Sequence, residues 1–175
     1  MNPNPFAWSF RAQYLFGFLV CALMLAYAFY EQFQMHVEPC PMCIFQRLAF
    51  IAMGIFFLVG GLHAPASPKG RRTYAVLVAI AALIGIGVAI NHLRMQFTPH
   101  DPMMSGCGPG LAYLLDSFPL SDALKKAFTG SGDCGEINWT FLGITMPGWC
   151  LIWYVILGAG AIWAGWRKRL TSRFS

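Results

Sequence analysis

Four long apolar runs constrain this chain before any other feature does. They cover residues 14–30, 44–62, 74–90 and 149–166, each about 17 to 19 residues long. An α-helix needs roughly 20 residues to cross the hydrocarbon core of a bilayer. The first, third and fourth runs contain no charged side chain, and the second is interrupted only near its start, by Gln46 and Arg47. Alternation of period two is absent. A backbone inside lipid must satisfy its hydrogen bonds within its own segment, so the runs predict helices and not barrel strands. Aromatic residues gather near run ends (Tyr14, Phe29, Tyr30 and Tyr74, then Trp149, Trp153, Trp163 and Trp166), as interfacial belts do. The expectation is an all-α membrane protein: one integral-membrane domain over residues 1–175 with four transmembrane helices.

Composition agrees. Charged residues make up 11% of the 175 and apolar residues 57%, whereas a soluble domain carries about 25% charged residues. The net charge of +5 invites a nucleic-acid reading, but the basic residues form no single face. They divide by side of the membrane instead. Arg11, Lys69, Arg71, Arg72, Arg167, Lys168, Arg169 and Arg173 fall on one side. Arg94, Lys125 and Lys126 fall on the other, with Arg47 at its border. The positive-inside rule places the first group and both termini in the cytoplasm. Glu31, Glu38, Asp101, Asp116, Asp122, Asp133 and Glu136 all lie on the opposite side. Ala26-Tyr27-Ala28 looks like a signal-peptidase site, but the weakly basic start and the extent of the run favour a retained helix.

The connections are unequal. Residues 31–43 form a short outer loop, residues 63–73 a short inner loop rich in turn-forming Pro and Gly, and residues 91–148 a long outer loop. Within the long loop, Ser121 and Asp122 can cap and open a helix running to Phe128. Leu120, Leu124 and Phe128 share one face, with Lys125 and Lys126 on the other. This stretch is read as a short amphipathic helix on the membrane surface, with packing against the rest of the loop as the alternative.

Six cysteines then carry the chemistry. Cys40 and Cys43 lie in the short outer loop, Cys107 and Cys134 in the long one, and Cys21 and Cys150 inside the first and fourth spans. Four of the six therefore face the oxidising side, where disulfides persist. Cys107 sits in Ser-Gly-Cys-Gly-Pro-Gly and Cys134 in Gly-Ser-Gly-Asp-Cys-Gly. Such glycine-flanked settings suit a sulfur that must meet another protein's sulfur, although two static structural disulfides remain the competing reading. Zinc is disfavoured because the second pair lacks C-x-x-C spacing, so no metal is expected. Haem attachment fails because Ile44, not histidine, follows Cys43. Cys21 and Cys150 read as small apolar fillers.

Thiol–disulfide exchange needs a thiolate. Cys43 lies at the start of the second span, Pro41 suits a helix entry, and the unpaired amides there favour negative charge. Arg47 is one turn further along the same face. It can stabilise the Cys43 thiolate or hold an electronegative group beside it. The alternative is an arginine that snorkels to the headgroups, but intramembrane charge is expensive and usually functional. His92 and Gln96, spaced i and i+4 after the third span, can hydrogen-bond a carbonyl-bearing ligand near Cys43. An interfacial histidine without a task accounts for that spacing equally well. His36, His63 and His100 receive no role, and Asn138-Trp139-Thr140 is read as an accidental glycosylation sequon.

These motifs resemble the DsbB family, inner-membrane disulfide bond formation proteins of Gram-negative bacteria. The resemblance covers about Tyr14 to Trp166. It rests on the four spans, Pro39-Cys40-Pro41-Met42-Cys43 with Arg47, Gly130-Ser131-Gly132-Asp133-Cys134, and Trp139-Thr140-Phe141-Leu142-Gly143-Ile144-Thr145-Met146-Pro147. It implies a four-helix membrane bundle whose long second loop is periplasmic and carries the amphipathic helix. It also implies a relay, the known DsbA–DsbB–quinone route. In that relay a reduced DsbA-like periplasmic thiol oxidase attacks a Cys107–Cys134 disulfide, with Cys107 forming the mixed disulfide. Electrons then pass to Cys40–Cys43, and Cys43 reduces a quinone (ubiquinone or menaquinone) drawn from the membrane pool, with Arg47 beside it. His92 and Gln96 match quinone-site positions of the family. The chain departs from the pattern at Gln46, where the best-known member carries an acidic residue. This bears on the site's electrostatics and not on the cysteine relay. A vitamin-K-reductase-like enzyme also joins a four-helix bundle to C-x-x-C and a quinone, but there the C-x-x-C sits on a late helix. A membrane scaffold with two fixed disulfides is the non-enzymatic rival.

Overall fold

The computed structural model describes residues 9–34, 40–97, 119 and 140–167. Four helices dominate it: α1 Phe10–Gln34, α2 Pro41–His63, α3 Pro68–Phe97 and α4 Met146–Trp166. All four are long and apolar enough to cross a membrane, and the chain folds as a four-helix membrane bundle. Each helix overruns its apolar stretch. The connection between α2 and α3 therefore shrinks to four residues, and Lys69, Arg71 and Arg72 stand on the first turns of α3, not in a loop. At 30 residues α3 is about 45 Å long, against a hydrocarbon core of about 30 Å. Its last turns, with His92 and Gln96, thus extend the span without a break.

Neighbours in sequence are neighbours in space. Helix α3 packs along α4, α1 along α2 and α2 along α3, while α1 and α4 touch over a short stretch only. Lipid offers no hydrophobic drive between helices, so close approach depends on small residues. Gly60 of α2 lies under the Tyr14 ring, where a Cβ would come within 2.7 Å of it. At Gly85 of α3 a Cβ would come within 2.5 Å of the Tyr154 ring. The core between the helices holds Tyr14, Cys21, Phe50, Met53, Phe57 and Tyr154. Large apolar side chains such as Leu23, Ile55, Leu83 and Ile84 point outward, which suits a surface solvated by acyl chains.

One basic residue is structural at the end of the bundle away from the cysteines. Arg71 is buried, donates to the carbonyl of Ala164 in the last turn of α4 at 2.7 Å, and lies over the Phe10 ring at 4.9 Å. A cation at a helix C-terminus complements the unpaired carbonyls there.

One element was not anticipated. Strands β1 Thr140–Phe141 and β2 Ile144–Thr145 pair antiparallel just before α4. Leu142 (φ 54°) and Gly143 (φ 77°) make the turn, and positive φ at both central residues is the turn geometry that matches strand twist. The indole of Trp149 donates to the Phe141 carbonyl at 3.1 Å and ties the hairpin to α4. Cys107, Cys134 and the expected amphipathic helix of Ser121–Phe128 lie outside the described residues.

Candidate redox site at the mouth of α2

The first turn of α2 builds the site. Cys40 is its N-cap, with extended backbone (φ −62°, ψ 158°), and Pro41 follows in the first turn. An N-cap side chain accepts from an otherwise unpaired amide of the first turn. Here the acceptor is sulfur: the N–H of Cys43 donates to Cys40 Sγ at 3.3 Å. Reading from sequence gave the benefit of the helix start to Cys43. The structure gives an amide to Cys40, because the helix begins one residue after Cys40 and a C-x-x-C spacing then matches the cap-to-third-residue spacing. The two sulfurs face each other at 2.9 Å. A disulfide bond is about 2.05 Å, so the half-buried pair is placed to open and close with little movement.

Helix α3 brings a histidine to this pair across 52 residues of sequence. His92 is 3% exposed, and its Nε2 lies 3.8 Å from Cys40 Sγ. Its other ring nitrogen, Nδ1, lies 3.1 Å from the Nε2 of Gln46, a side chain that is itself only 4% exposed. From α4, the Tyr154 hydroxyl donates to the backbone carbonyl oxygen of Gln46 at 2.7 Å. Met42, Val88, Phe45 and Met95 form an apolar cluster packed with Cys40. The sequence-predicted His92 thus joins the cysteines. Gln46, whose amide meets His92, and Tyr154, which bonds the Gln46 backbone, were missed as site residues. The sequence signal for Gln46 is an uncharged amide inside a membrane span, three residues past Cys43; Tyr154 carries none.

Arg47 and Gln96 take other positions. The Arg47 guanidinium donates to Gln32 Oε1 and, at 3.1 Å, to the Ala28 carbonyl, both on α1. It also lies 5.0 Å over the Phe29 ring. Arg47 therefore straps α1 to α2 at the cysteine end. A guanidinium carries five N–H donors in a fixed fork, so these two bonds leave donors for a further acceptor. Gln96 sits one turn past His92, and its buried Oε1 has no hydrogen-bond partner among the described residues. Cys21 and Cys150 are buried in the bundle. The donor atoms of Cys40, Cys43 and His92 all lie within 4.8 Å of one another. Two thiolates and an imidazole can also ligate a soft metal ion, a combination invisible when cysteines alone are counted.

A cysteine pair facing itself at the end of a membrane helix, with an imidazole against one sulfur, is the build of a membrane thiol oxidoreductase. The family model described as "Disulfide bond formation protein DsbB" matches residues 10–164. Disulfide bond formation protein B of Xanthomonas axonopodis pv. citri is 50% identical over 169 residues, covering 97% of this chain and 98% of the relative. The proteins of that name from Nitrosococcus oceani and Xylella fastidiosa are 47% and 42% identical. The first covers 89% of this chain and 90% of the relative, the second 94% of each. The chain belongs to the DsbB family, and it is a multi-pass membrane protein of disulfide bond formation.

Proposed function

We propose that this protein reoxidises a DsbA-like periplasmic thiol oxidase and passes the electrons to a membrane quinone. In this reading it sits in the bacterial inner membrane as one domain, with both termini cytoplasmic and the cysteine end periplasmic. The partner's dithiol reduces a Cys107–Cys134 disulfide and leaves as a disulfide. The Cys107/Cys134 dithiol then reduces Cys40–Cys43. Each exchange breaks one S–S bond and forms another, so electrons and protons balance at every stage. Cys40 meets the incoming electrons and Cys43 hands them on.

The observation that carries this reading is the Cys40–Cys43 pair itself, its sulfurs 2.9 Å apart at a membrane-helix mouth. A bound quinone supplies a two-electron, two-proton acceptor. The chain's own groups fit such a ligand. Its carbonyls need donors, and Arg47 retains guanidinium N–H groups beyond those used on α1. A buried polar atom without a partner calls for an explanation, and Gln96 Oε1 is one. It can accept from a quinol hydroxyl, or the amide can turn its N–H₂ toward a quinone carbonyl. His92 stands against the Cys40 sulfur, one turn before Gln96 on α3. DsbA is a strong oxidant, at about −120 mV, so its reoxidation needs a stronger one, which a membrane holds.

Anaerobic mixing of the purified protein with reduced partner and either ubiquinone or menaquinone tests the reading through quinone absorbance. Partner oxidation should match quinone loss one for one. If both disulfides stay oxidised when reduced partner is added without quinone, the bridges are static and the relay is wrong.

A further inference from the structure

We propose that Gln46 is a positioning residue that holds neutral His92 with its proton on Nε2, aimed at the Cys40 sulfur, and so favours the reduced form of the Cys40–Cys43 pair. The proposal rests on the relay reading for its direction of flow, but its evidence is the geometry of three side chains. The amide nitrogen of Gln46 can only donate. It stands 3.1 Å from His92 Nδ1, which must then be the acceptor. In a neutral imidazole one nitrogen accepts and the other carries the proton, and the partner of one nitrogen sets the state of the other. The proton therefore lies on Nε2, 3.8 Å from Cys40 Sγ.

Cys40 Sγ consequently meets two N–H groups, one from His92 and one from the Cys43 backbone at 3.3 Å. Both favour a thiolate over a disulfide sulfur, because a charged acceptor strengthens a hydrogen bond. When the pair is reduced, its S–S bond breaks and it takes two electrons and one proton from the incoming dithiol, whose second proton is released. The retained proton lies between two sulfurs 2.9 Å apart, so the charge held at Cys40 is shared with Cys43. Stabilising the reduced form is what makes a dithiol couple more oxidising. Gln46 is rigid enough for this task. Both it and His92 are nearly fully buried, and Tyr154, fully buried and stacked on Phe50 at 4.3 Å between ring centres, anchors the backbone carbonyl of Gln46.

Two measurements on the full-length protein, freed of quinone and without partner, test the idea. The first is the ¹⁵N spectrum of imidazole-labelled protein, which distinguishes the protonated from the bare ring nitrogen of His92. Wild type should carry the proton on Nε2, and Gln46→Glu should recruit a proton to Nδ1. A wild-type proton on Nδ1 overturns the proposal without any variant having to fold. The second is equilibration of the Cys40–Cys43 pair with glutathione in a Cys107→Ser/Cys134→Ser background, read by alkylation and peptide mass. Gln46→Leu should shift the pair about tenfold toward disulfide, about 30 mV for a two-electron couple. In a His92→Ala background the same substitution should have no further effect. An unchanged equilibrium, or an equal shift with His92 absent, also overturns it. Loss of quinone reduction strikes the relay reading alone, because neither measurement involves a quinone.

Discussion

The sulfur of Cys40 caps the helix that begins with Cys43 in its first turn: the Cys43 N–H donates to Cys40 Sγ at 3.3 Å. One atom is therefore both a structural cap and half of the redox pair. The two roles separate by substitution. Serine is among the best N-cap residues and alanine among the poor ones, with a difference of about 1 kcal/mol. Cys40→Ser should match wild type in unfolding by denaturing detergent, and Cys40→Ala should fall below it by about 1 kcal/mol. Both should lose the C-x-x-C redox couple. Equal stability of the two variants would remove the cap from the account.

Cys43→Ser should abolish quinone reduction and leave the Cys107–Cys134 bond intact, as read by thiol trapping and mass spectrometry. Continued turnover by this variant would show that electrons leave by another sulfur.

Arg47 ties α1 to α2 through Gln32, Ala28 and Phe29 and keeps donors for a ligand. Hydrogen bonds to a charged group contribute about 1.5–3 kcal/mol. Arg47→Ala should raise the KM for quinone about tenfold or more and leave the KM for the thiol partner within about twofold. Equal losses toward both substrates would mark a purely structural strap. Arg47→Lys should recover only part of the quinone affinity, because an ammonium lacks the planar fork.

Gly85 and Gly87 lie two residues apart on α3 and should respond oppositely. A Cβ at Gly85 would stand 2.5 Å from the Tyr154 ring, whereas one at Gly87 meets nothing within 4 Å. Overpacking costs about 1–3 kcal/mol, so Gly85→Ala should destabilise the bundle by that amount. It should also displace Tyr154 from Gln46. Gly87→Ala should be neutral or slightly stabilising, since Gly disfavours helix by up to about 1 kcal/mol relative to Ala. Detergent unfolding of the pair checks both.

Arg71 and Arg72 are adjacent, but only Arg71 is buried and bonded to the Ala164 carbonyl. Arg72 is exposed. Arg71→Ala should cost about 1.5–3 kcal/mol, and Arg72→Ala should stay within about 0.5 kcal/mol. Similar costs for both would mean that the Ala164 contact contributes little to holding α3 on α4.

Much of this protein is legible in one dimension. A bilayer accepts only segments of near-fixed length whose backbone satisfies itself, so four apolar runs announce four helices. Cys40 and Cys43 declare themselves by spacing, because two sulfurs three residues apart at a helix start must lie close together. Helix ends are harder to read. The last turns of α1 and the first turns of α3 contain Glu31, Gln32, Lys69 and Arg71, which interrupt hydropathy without interrupting the helix. The hairpin of Thr140–Thr145 is hidden for a related reason: Leu142 adopts a left-handed conformation that its side chain does not advertise.

What the sequence alone determined is the solvent, the number of crossings and the existence of a thiol pair at one membrane face. Each follows from local composition and spacing. Tertiary packing alone decided which groups attend those thiols. His92 meets Cys40 from 52 residues away, Gln46 meets His92 from 46 away, and Tyr154 reaches Gln46 from 108 away. Arg47 turns toward α1 because Gln32, Ala28 and Phe29 face it there. In helices that are apolar on every side, sequence periodicity marks no preferred face. Small residues such as Gly60 and Gly85, with the rings that fill them, and the interhelical bonds of Arg47 and Arg71 fix how each helix is rotated and therefore which polar side chains meet.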